Sequence, residues 1–357
     1  MKILIVKLGA IGDIVHTLPV LHAIRAAMPD AEISWAAEKR SAEILRGNTL
    51  IDYLIEVDTR SLRKGVAAHE ILPQISRQVR GLREFGFDIA IDFQGLIKSA
   101  IISKLSGAKT RFGFSQEALR EPVSRIFYNR SVIIPVETHV IRKNLHLAAQ
   151  ALNISVPDAD FKFPISTNDE HRIEAERIAE MAGGDFVILN PAGGWATKLW
   201  PAEQFGELAD MIWDQHGQAS IIAAGPGESE LAGKALQNSR SPRTFAAAPT
   251  LKGFVELAKL AKAYVGGDTG PTHLAIAAGT PVVGMFGPTE WWRNGSTNPD
   301  DICVERLDIG CRTKCHRRTC RNWICMEITV ETVLSAVSKR LRVLSVPPAS
   351  VGGLSKE

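Results

Sequence analysis

The segment AYVGGDTGPTHLAIAAG, residues 263–279, contains the pattern that most clearly indicates the fold. Its first residues form a short apolar run that ends in two glycines, as a buried strand does, and the following proline suits the first turn of a helix. At such a helix start the N–H groups of Thr269 and Gly270 would face a ligand, with the helix dipole behind them. The segment therefore predicts a strand-to-helix turn of an α/β protein that binds a diphosphate.

The same alternation of apolar runs and helical patterns continues in both directions from this segment. Further strands are predicted at KILIVK (2–7), EISWAA (32–37), YLIEV (53–57), DIAIDF (88–93), DFVILN (185–190), ASIIAAG (219–225) and PVVGMFG (281–287). Strands of this composition, separated by helices, are typical of a parallel sheet that is covered on both faces. The polar stretch at 165–170 divides the pattern, and we expect two Rossmann-like halves that face each other across a cleft. The expected parts are 1–165, 166–326, a terminal helix at 327–345 that packs back towards the first half, and a disordered tail at 346–357.

The bulk composition is that of an ordinary soluble enzyme. The 357 residues carry a net charge of only +3, which gives no global electrostatic case for binding nucleic acid. No apolar run reaches the roughly 18 to 20 residues that a membrane span needs. The N-terminal apolar run is short and lacks a cleavage pattern, so we interpret it as a buried strand and expect a cytoplasmic protein.

The loop after the first strand, KLGAIGD (7–13), contains the candidate base. Its glycines permit a tight turn, but the spacing is not G-x-G-x-x-G, which disfavours an NAD(P)-dependent enzyme. Asp13 has two interpretations. It is either a helix cap or a carboxylate at the cleft edge that takes a proton from an acceptor hydroxyl, and one residue can do both.

Three loops of the second half predict a nucleotide site. In NPAGGWATKLWP (190–201), a glycine pair, a hydroxyl and Lys198 can meet a phosphate, although the spacing is not that of a Walker A loop. Glu228 follows a strand and either accepts ribose hydroxyls or only favours a helix start. Asp268 either binds sugar hydroxyls or caps the helix, and His273 is either functional or a packed helix residue.

Two further clusters stand out, one basic and one of cysteines. The basic residues are Arg60, Arg63, Lys64, Arg111, Arg120, Arg125 and Arg130, which would suit an anionic acceptor. The cysteines are Cys303, Cys311, Cys315, Cys320 and Cys325. Their odd number and the lack of a C-x2-C pair favour reduced thiols in a basic loop over a redox pair or a metal site, so we expect no metal.

Together these motifs resemble the ADP-heptose:lipopolysaccharide heptosyltransferases of glycosyltransferase family 9, which are inverting enzymes with the GT-B fold. The resemblance covers most of the chain. DFQGLIKSA (92–100) and ALREPVSRIFYNR (118–130) resemble the heptosyltransferase I branch in particular. That branch adds the first heptose to the Kdo residues of the lipopolysaccharide inner core.

The resemblance implies a role for each matching residue. Asp13 matches the catalytic base. The implied donor-binding residues are Lys198, Glu228, Asp268, Thr269, Gly270 and His273, together with Gly9, Ala10, Gly193 and Gly194, whose backbone N–H groups would replace the Ser and Thr hydroxyls of relatives. The implied acceptor-binding residues are Arg60, Arg63, Lys64, Lys98 and Arg120.

The implied partners are an ADP-heptose donor and a Kdo2-lipid A-type acceptor, with the enzyme peripheral to the cytoplasmic face of the inner membrane and without a cofactor. The cysteine-rich stretch CRTKCHRRTC departs from the heptosyltransferase I pattern and is more like loops of other branches. Three alternatives therefore stay open: heptosyltransferase II or III, transfer of another sugar within the family, and a non-catalytic nucleotide-sugar-binding protein.

Overall fold

The computed structural model describes residues 1–58, 81–135, 137–311, 315 and 317–345, with side chains to Arg342. The chain divides into two compact units. The first unit comprises Met1–Ile173, Thr250–Glu256 and Trp291–Asn294, and the second comprises Glu174–Pro249, Leu257–Glu290 and Gly295–Glu357. The predicted tail at 346–357 lies outside the described residues.

The first unit contains a six-stranded parallel sheet with the order β3-β2-β1-β4-β5-β6. Its strands are β1 (Lys2–Val6), β2 (Glu32–Glu38), β3 (Tyr53–Val57), β4 (Ile89–Asp92), β5 (Thr110–Phe114) and β6 (Arg130–Val132). Its described α-helices are α1 (Ile11–Val15), α2 (Leu18–Ala27), α3 (Ile97–Leu105), α4 (Val140–Leu152) and α5 (Asp169–Ala182), the last of which continues into the second unit.

The second unit contains another six-stranded parallel sheet, with the order β12-β11-β10-β7-β8-β9. Its strands are β7 (Phe186–Asn190), β8 (Ala219–Ala223), β9 (Thr244–Ala247), β10 (Ala263–Gly267), β11 (Val282–Met285) and β12 (Ile302–Val304). The remaining described α-helices are α6 (Ala202–His216), α7 (Ser229–Gln237), α8 (Leu251–Leu260), α9 (Gly270–Ala278), α10 (Trp291–Asn294) and α11 (Val330–Ser345).

Both sheets have the same topology. When the strands are counted from the start of each unit, each order is 3-2-1-4-5-6, which is the doubly wound Rossmann order. The second and third strands are added towards one edge of the sheet, and the fifth and sixth towards the other. The loops that follow the first and fourth strands therefore diverge and leave a crevice at the carboxyl edge of the sheet. We call this place the switch point of each unit: it follows β1 and β4 in the first unit, and β7 and β10 in the second.

The central strands are buried because their sequences are apolar on both faces. Ile3 to Val6 of β1 are fully buried, and every residue of β7 and β10 is buried. Trp200 packs edge-to-face on Phe205 in the second core, with 4.8 Å between the ring centroids. Each unit thus has its own core, and polar groups concentrate in the loops at the sheet edges.

The structure differs from the sequence pattern in two respects. The apolar pattern does not predict strands β5, β6, β9 and β12, because they are short and carry polar or half-exposed residues. The sequence from Asp13 to about Met28 has one continuous helical pattern, but the helix ends at Val15 and a second one starts at Leu18, with Pro19 in its first turn.

The terminal helix α11 packs on the second unit. Its apolar side chains Val330, Val333, Leu334 and Val337 belong to the core of that unit. The expected packing towards the first half stays a prediction. Arg340 of this helix also forms a buried ion pair with Asp301, with Nε 3.1 Å from Oδ1, beside β12. Among the described residues, none of the helices has the length and apolar character needed to cross a bilayer.

Candidate functional site

The switch point of the first unit places Asp13 beside the loop that follows β4. Asp13 is the third residue of α1 and is partly exposed. Its Oδ2 accepts a hydrogen bond from the backbone N–H of Ala10, at 3.2 Å, and a longer one from Nε2 of Gln94, at 3.4 Å. The carboxylate thus caps its own helix from inside the first turn and contacts the neighbouring loop.

Gly9 is required by the geometry of this turn. Its φ of +145° is one that residues with a side chain rarely adopt, and a Cβ here would come within 2.6 Å of the Ser41 hydroxyl. Its N–H donates to Oε1 of Gln94 at 3.3 Å, while the Ala10 N–H is held by Asp13. The N–H groups of Gly9 and Ala10 that the sequence assigned to the donor are therefore engaged within the protein.

Gln94 is a residue of this site that the sequence reasoning did not single out. Its side chain contacts both the turn after β1 and the carboxylate of Asp13. Lys7 adds a second link between the two loops, because its buried ammonium donates to the carbonyl of Phe93 at 2.9 Å. The rule that ligands bind in loops after strands would have identified Gln94, because it follows the strand predicted at 88–93.

The described acceptor candidates lie around the same loop. Lys98 of α3 forms an ion pair with Glu38, with 2.8 Å between Nζ and Oε1. Arg120 is exposed, and the next residue, Glu121, ties this segment to the loop after β4: its N–H donates to the carbonyl of Gly95 at 3.2 Å. The candidates Arg60, Arg63 and Lys64 lie outside the described residues.

Two of the other basic residues have a structural explanation. Arg111 donates to the backbone carbonyls of Phe127 and Ala108, both at 3.0 Å, and Arg125 donates to that of Tyr128, also at 3.0 Å. These guanidinium groups hold the turns around β5 and β6 together.

The switch point of the second unit is built on a buried ion pair. Nζ of Lys198, from the loop after β7, lies 2.5 Å from Oδ2 of Asp268, from the loop after β10, and also donates to the Asp268 carbonyl at 3.0 Å. The other oxygen, Oδ1, lies 3.1 Å from Nε2 of His273. All three side chains are at least 90% buried.

The two basic neighbours determine the charge of Asp268. Burial by itself would raise the pKa of this carboxyl group, but the hydrogen bond and charge of His273 and the charge of Lys198 outweigh burial and hold the pKa below its usual range. Asp268 is therefore ionised at neutral pH. Because its two oxygens contact Lys198 and His273, Asp268 orients these two residues, whereas the sequence suggested that it caps the helix or binds sugar hydroxyls.

Helix α9 begins at Gly270, shortly after Asp268 in the chain. Pro271 lies in the first turn, as the sequence predicted, but the N-cap residue is Thr269 and not Asp268. The first N–H groups of an α-helix have no acceptor within the helix, so the N–H of Gly270 points out of the helix start next to Lys198 and Asp268. The buried Thr272 hydroxyl donates to the carbonyl of Gly267 and fixes the turn.

Glu228 lies near the same switch point. Its Oε2 accepts a hydrogen bond from the N–H of Gly225 at 2.7 Å, which closes the turn before α7. Burial raises the pKa of Tyr264 in β10, and the negative charge of Glu228 contributes to the shift. Glu228 is thus close enough to β10 to act electrostatically on it, and it also closes its own turn.

The loop that carries Lys198 is held by the cysteine-rich segment, residues 311–325. Nε1 of Trp323 donates to the carbonyl of Thr197 at 2.9 Å, and the Thr197 hydroxyl donates to the carbonyl of Arg317 at 2.5 Å. The Lys198 ammonium lies 3.9 Å from the ring centroid of Trp195, and the Arg318 guanidinium lies 5.3 Å from the same centroid. The segment therefore contributes to the shape of the Lys198 loop.

The glycine pair of this loop has a packing explanation in part. A Cβ at Gly193 would lie 2.7 Å from a methyl group of Leu199, so the leucine side chain would have to shift. Gly194 is exposed, and a Cβ there would meet nothing within 4 Å. Of the two, only Gly193 is in a position where a larger residue would meet a neighbouring side chain.

The five cysteines lie in the described part of the chain, and none of them forms a disulfide bond there. Burial raises the pKa of the Cys325 thiol, and the neighbouring Cys315 raises it further. Among the described residues, no group of three or more His, Cys, Asp or Glu side chains is arranged to hold a metal ion.

The sequence is similar to those of known heptosyltransferases. The family model described as glycosyltransferase family 9 (heptosyltransferase) matches residues 75–324. The lipopolysaccharide heptosyltransferase 1 of Pseudomonas aeruginosa is 29% identical, over 90% of this chain and 87% of that protein. The protein of the same name from Escherichia coli K12 is 28% identical, over 81% of this chain and 89% of that protein.

A solved structure agrees with these matches. The E. coli heptosyltransferase WaaC with ADP superimposes with a TM-score of 0.76 and 25% identity, covering 95% of this chain and 100% of that chain. A likeness of this extent confirms the expected GT-B fold of two Rossmann-like units.

Proposed function

The chain belongs to glycosyltransferase family 9, the heptosyltransferases, and from this premise we propose that it transfers heptose from ADP-L-glycero-D-manno-heptose to a Kdo residue of the lipopolysaccharide inner core. It is a glycosyltransferase of the ADP-heptose:lipopolysaccharide type, as its motifs indicated. The observation that carries the proposal is the pair of switch points. One presents a partly exposed carboxylate, and the other presents a buried lysine and histidine at an open helix start.

In the proposed mechanism, Asp13 removes the proton from the acceptor hydroxyl as that oxygen attacks the anomeric carbon of the heptose. The bond from this carbon to the diphosphate breaks on the opposite side, so the configuration inverts and ADP leaves. Negative charge grows on the leaving phosphate. Lys198 and the N–H group of Gly270 at the start of α9 stabilise that charge.

Asp268 supports this step without contacting the reacting atoms. Its carboxylate holds the Lys198 ammonium and the His273 ring in fixed positions. The two groups are therefore preorganised and need no rearrangement as charge develops. Glu228 is proposed to accept the ribose hydroxyls through the oxygen that does not close its turn.

The acceptor is proposed to bind the first unit. Lys98 and Arg120 lie around the loop after β4, and Gln94 of this loop contacts Asp13. Cations at these positions suit the carboxylates and phosphates of a Kdo-bearing lipid. Arg60, Arg63 and Lys64, which lie outside the described residues, are also proposed to bind the anionic acceptor.

Because that acceptor carries a lipid anchor, we also propose that the enzyme is peripheral to the cytoplasmic face of the inner membrane. Val123 and Ile126 lie in the short 3₁₀ helix Pro122–Phe127 and are 61% and 74% exposed, directly after Arg120. Apolar side chains next to a cation are the combination that binds an anionic lipid surface. Sedimentation with anionic lipid vesicles should decrease in the variant Val123→Asp/Ile126→Asp. Equal sedimentation of the two proteins would contradict this part of the proposal.

The main test is an assay of the purified enzyme with ADP-heptose and two acceptors, Kdo2-lipid A and the same lipid already carrying one heptose. Mass spectrometry of the lipid product shows which acceptor gains a heptose. Transfer to Kdo2-lipid A alone supports the proposal. Transfer only to the heptosylated lipid would replace it with the activity of a later heptosyltransferase, and binding of ADP-heptose without transfer to either would indicate a non-catalytic protein.

A further inference from the structure

The loop after β4 is fixed by a buried carboxylate. Asp92 is fully buried, and its Oδ2 accepts hydrogen bonds from the hydroxyls of Tyr128 and Ser99, both at 2.7 Å. Its Oδ1 accepts hydrogen bonds from the backbone N–H groups of Gln94, at 2.8 Å, and Gly95, at 3.3 Å. Burial raises the pKa of Asp92, while these four donors oppose that shift. Four donors on one buried group leave the backbone at Gln94 little freedom.

The side chain of Gln94 is oriented by the turn after β1. Its Oε1 accepts hydrogen bonds from the N–H groups of Leu8, at 3.1 Å, and Gly9, at 3.3 Å. Backbone N–H groups only donate, so the oxygen of the amide must face them and the NH₂ group must face away. The NH₂ group is directed at Oδ2 of Asp13, with 3.4 Å between Nε2 and Oδ2.

This arrangement distinguishes the two oxygens of Asp13. Oδ2 accepts hydrogen bonds from Ala10 and Gln94. Across the stretches of chain that the structure covers, Oδ1 receives no hydrogen bond. We infer that Gln94 is a positioning residue, which anchors Asp13 through Oδ2 so that Oδ1 is the atom that takes the acceptor proton.

An amide suits this role better than a charged side chain. A lysine in place of Gln94 would bind the carboxylate strongly and reduce its basicity, whereas a neutral donor orients it and leaves it a base. The distance of 3.4 Å is long for a hydrogen bond, and catalytic hydrogen bonds often shorten when substrate binds. The inference rests on the proposed role of Asp13 as the base.

The test is the pH dependence of kcat/KM, since its acidic limb gives the pKa of the base in the free enzyme. In Gln94→Glu, one carboxylate oxygen can still accept from Leu8 and Gly9, while the other meets Oδ2 of Asp13. Two neighbouring carboxylates disfavour each other's ionisation. We expect the acidic limb to move up by roughly one pH unit or more, while the affinity for ADP stays unchanged.

Two further variants complete the experiment. Gln94→Leu removes the donor without adding charge and should lower kcat about tenfold, with little change in the affinity for ADP. Gln150→Glu makes the same chemical change on the exposed side of α4 and should keep the wild-type profile. Circular dichroism and ADP titration confirm that each variant is folded.

The outcomes separate this inference from the function it rests on. An acidic limb in Gln94→Glu that coincides with those of the wild type and Gln150→Glu would overturn the role of Gln94. If Asp13→Asn keeps normal turnover, the proposed base itself is wrong, and the inference about Gln94 falls with it. An inactive Asp13→Asn together with a shifted limb in Gln94→Glu supports both.

Discussion

The two switch points have the same topology but opposite chemistry. In the first unit, the loops after the first and fourth strands are joined by a neutral amide on a carboxylate, Gln94 on Asp13. In the second unit, the equivalent loops are joined by a buried ion pair, Lys198 with Asp268, to which His273 adds a second contact. In each unit an aspartate thus connects the two loops. The comparison suggests that the partner determines the role: a neutral amide is compatible with the proposed role of Asp13 as a base, whereas two basic groups hold Asp268 in an ionised network.

The largest effect is expected from neutralising Asp13. Asp13→Asn keeps the shape of the side chain but removes the proposed base, so turnover should fall by about 10²- to 10⁴-fold. The affinity for ADP should remain at the wild-type value, because the proposed donor site belongs to the second unit. Rates from ADP release and affinities from calorimetry measure the two effects. Normal turnover in this variant would exclude Asp13 as the base.

The corresponding change in the second unit should affect both binding and stability. Lys198→Met removes the ammonium that pairs with the buried Asp268, and breaking a buried pair costs about 3–5 kcal/mol of folding free energy. The affinity for ADP should fall at least tenfold, because the variant loses the ammonium proposed to bind the diphosphate. Chemical denaturation and calorimetry measure these effects.

A matched control for this variant is Lys234→Met in α7. Lys234 pairs with Glu230 at the surface, where water screens the charges and such a pair contributes little to stability. Equal losses of stability in the two lysine variants would contradict the scaffold role of the Lys198–Asp268 pair.

The pH dependence of the free energy of unfolding tests the ionisation of Asp268. The pKa of Asp268 is lower in the folded protein than in the unfolded chain, whose usual value is 3.8. The stabilisation is therefore complete above that value and is lost as the pH falls towards the folded pKa. Asp268→Asn should be less stable than the wild type at pH 7, and the difference should shrink below about pH 4. Guanidinium denaturation across this range measures the difference, and a constant difference would contradict the assignment.

The smallest expected effect comes from the cysteine-rich segment. Trp323→Phe removes the N–H that donates to the Thr197 carbonyl and should weaken ADP binding about fivefold, the equivalent of one hydrogen bond, with kcat nearly unchanged at saturating donor. Trp292→Phe, at a residue that is 44% exposed, serves as the control. Unchanged ADP affinity in Trp323→Phe would show that the segment does not shape the Lys198 loop.

Much of this arrangement could be predicted from the sequence. Apolar runs identified the central strands, and the rule that ligands bind after strands selected the loops of Asp13, Lys198 and Asp268. The short outer strands could not be predicted, because a strand such as Arg130–Val132 has too few apolar residues to form a pattern. The role of Asp268 could not be predicted either, since its pairing with Lys198 joins residues 70 positions apart. Gln94 was missed although it follows a predicted strand, because an amide side chain carries no charge or reactive group that marks it as functional. Its role becomes apparent only from the residues that it contacts.

The contact between Lys198 and the Trp195 ring has an optical consequence. Indole fluorescence responds to nearby charge, and this ring has the Lys198 ammonium 3.9 Å and the Arg318 guanidinium 5.3 Å from its centroid. A diphosphate that attracts these cations changes the electric field at the ring. The emission of Trp195 should therefore change when ADP binds, so that donor occupancy can be followed by stopped-flow measurement without a label. Trp195 would then serve as an intrinsic fluorescent probe in the loop proposed to bind the donor.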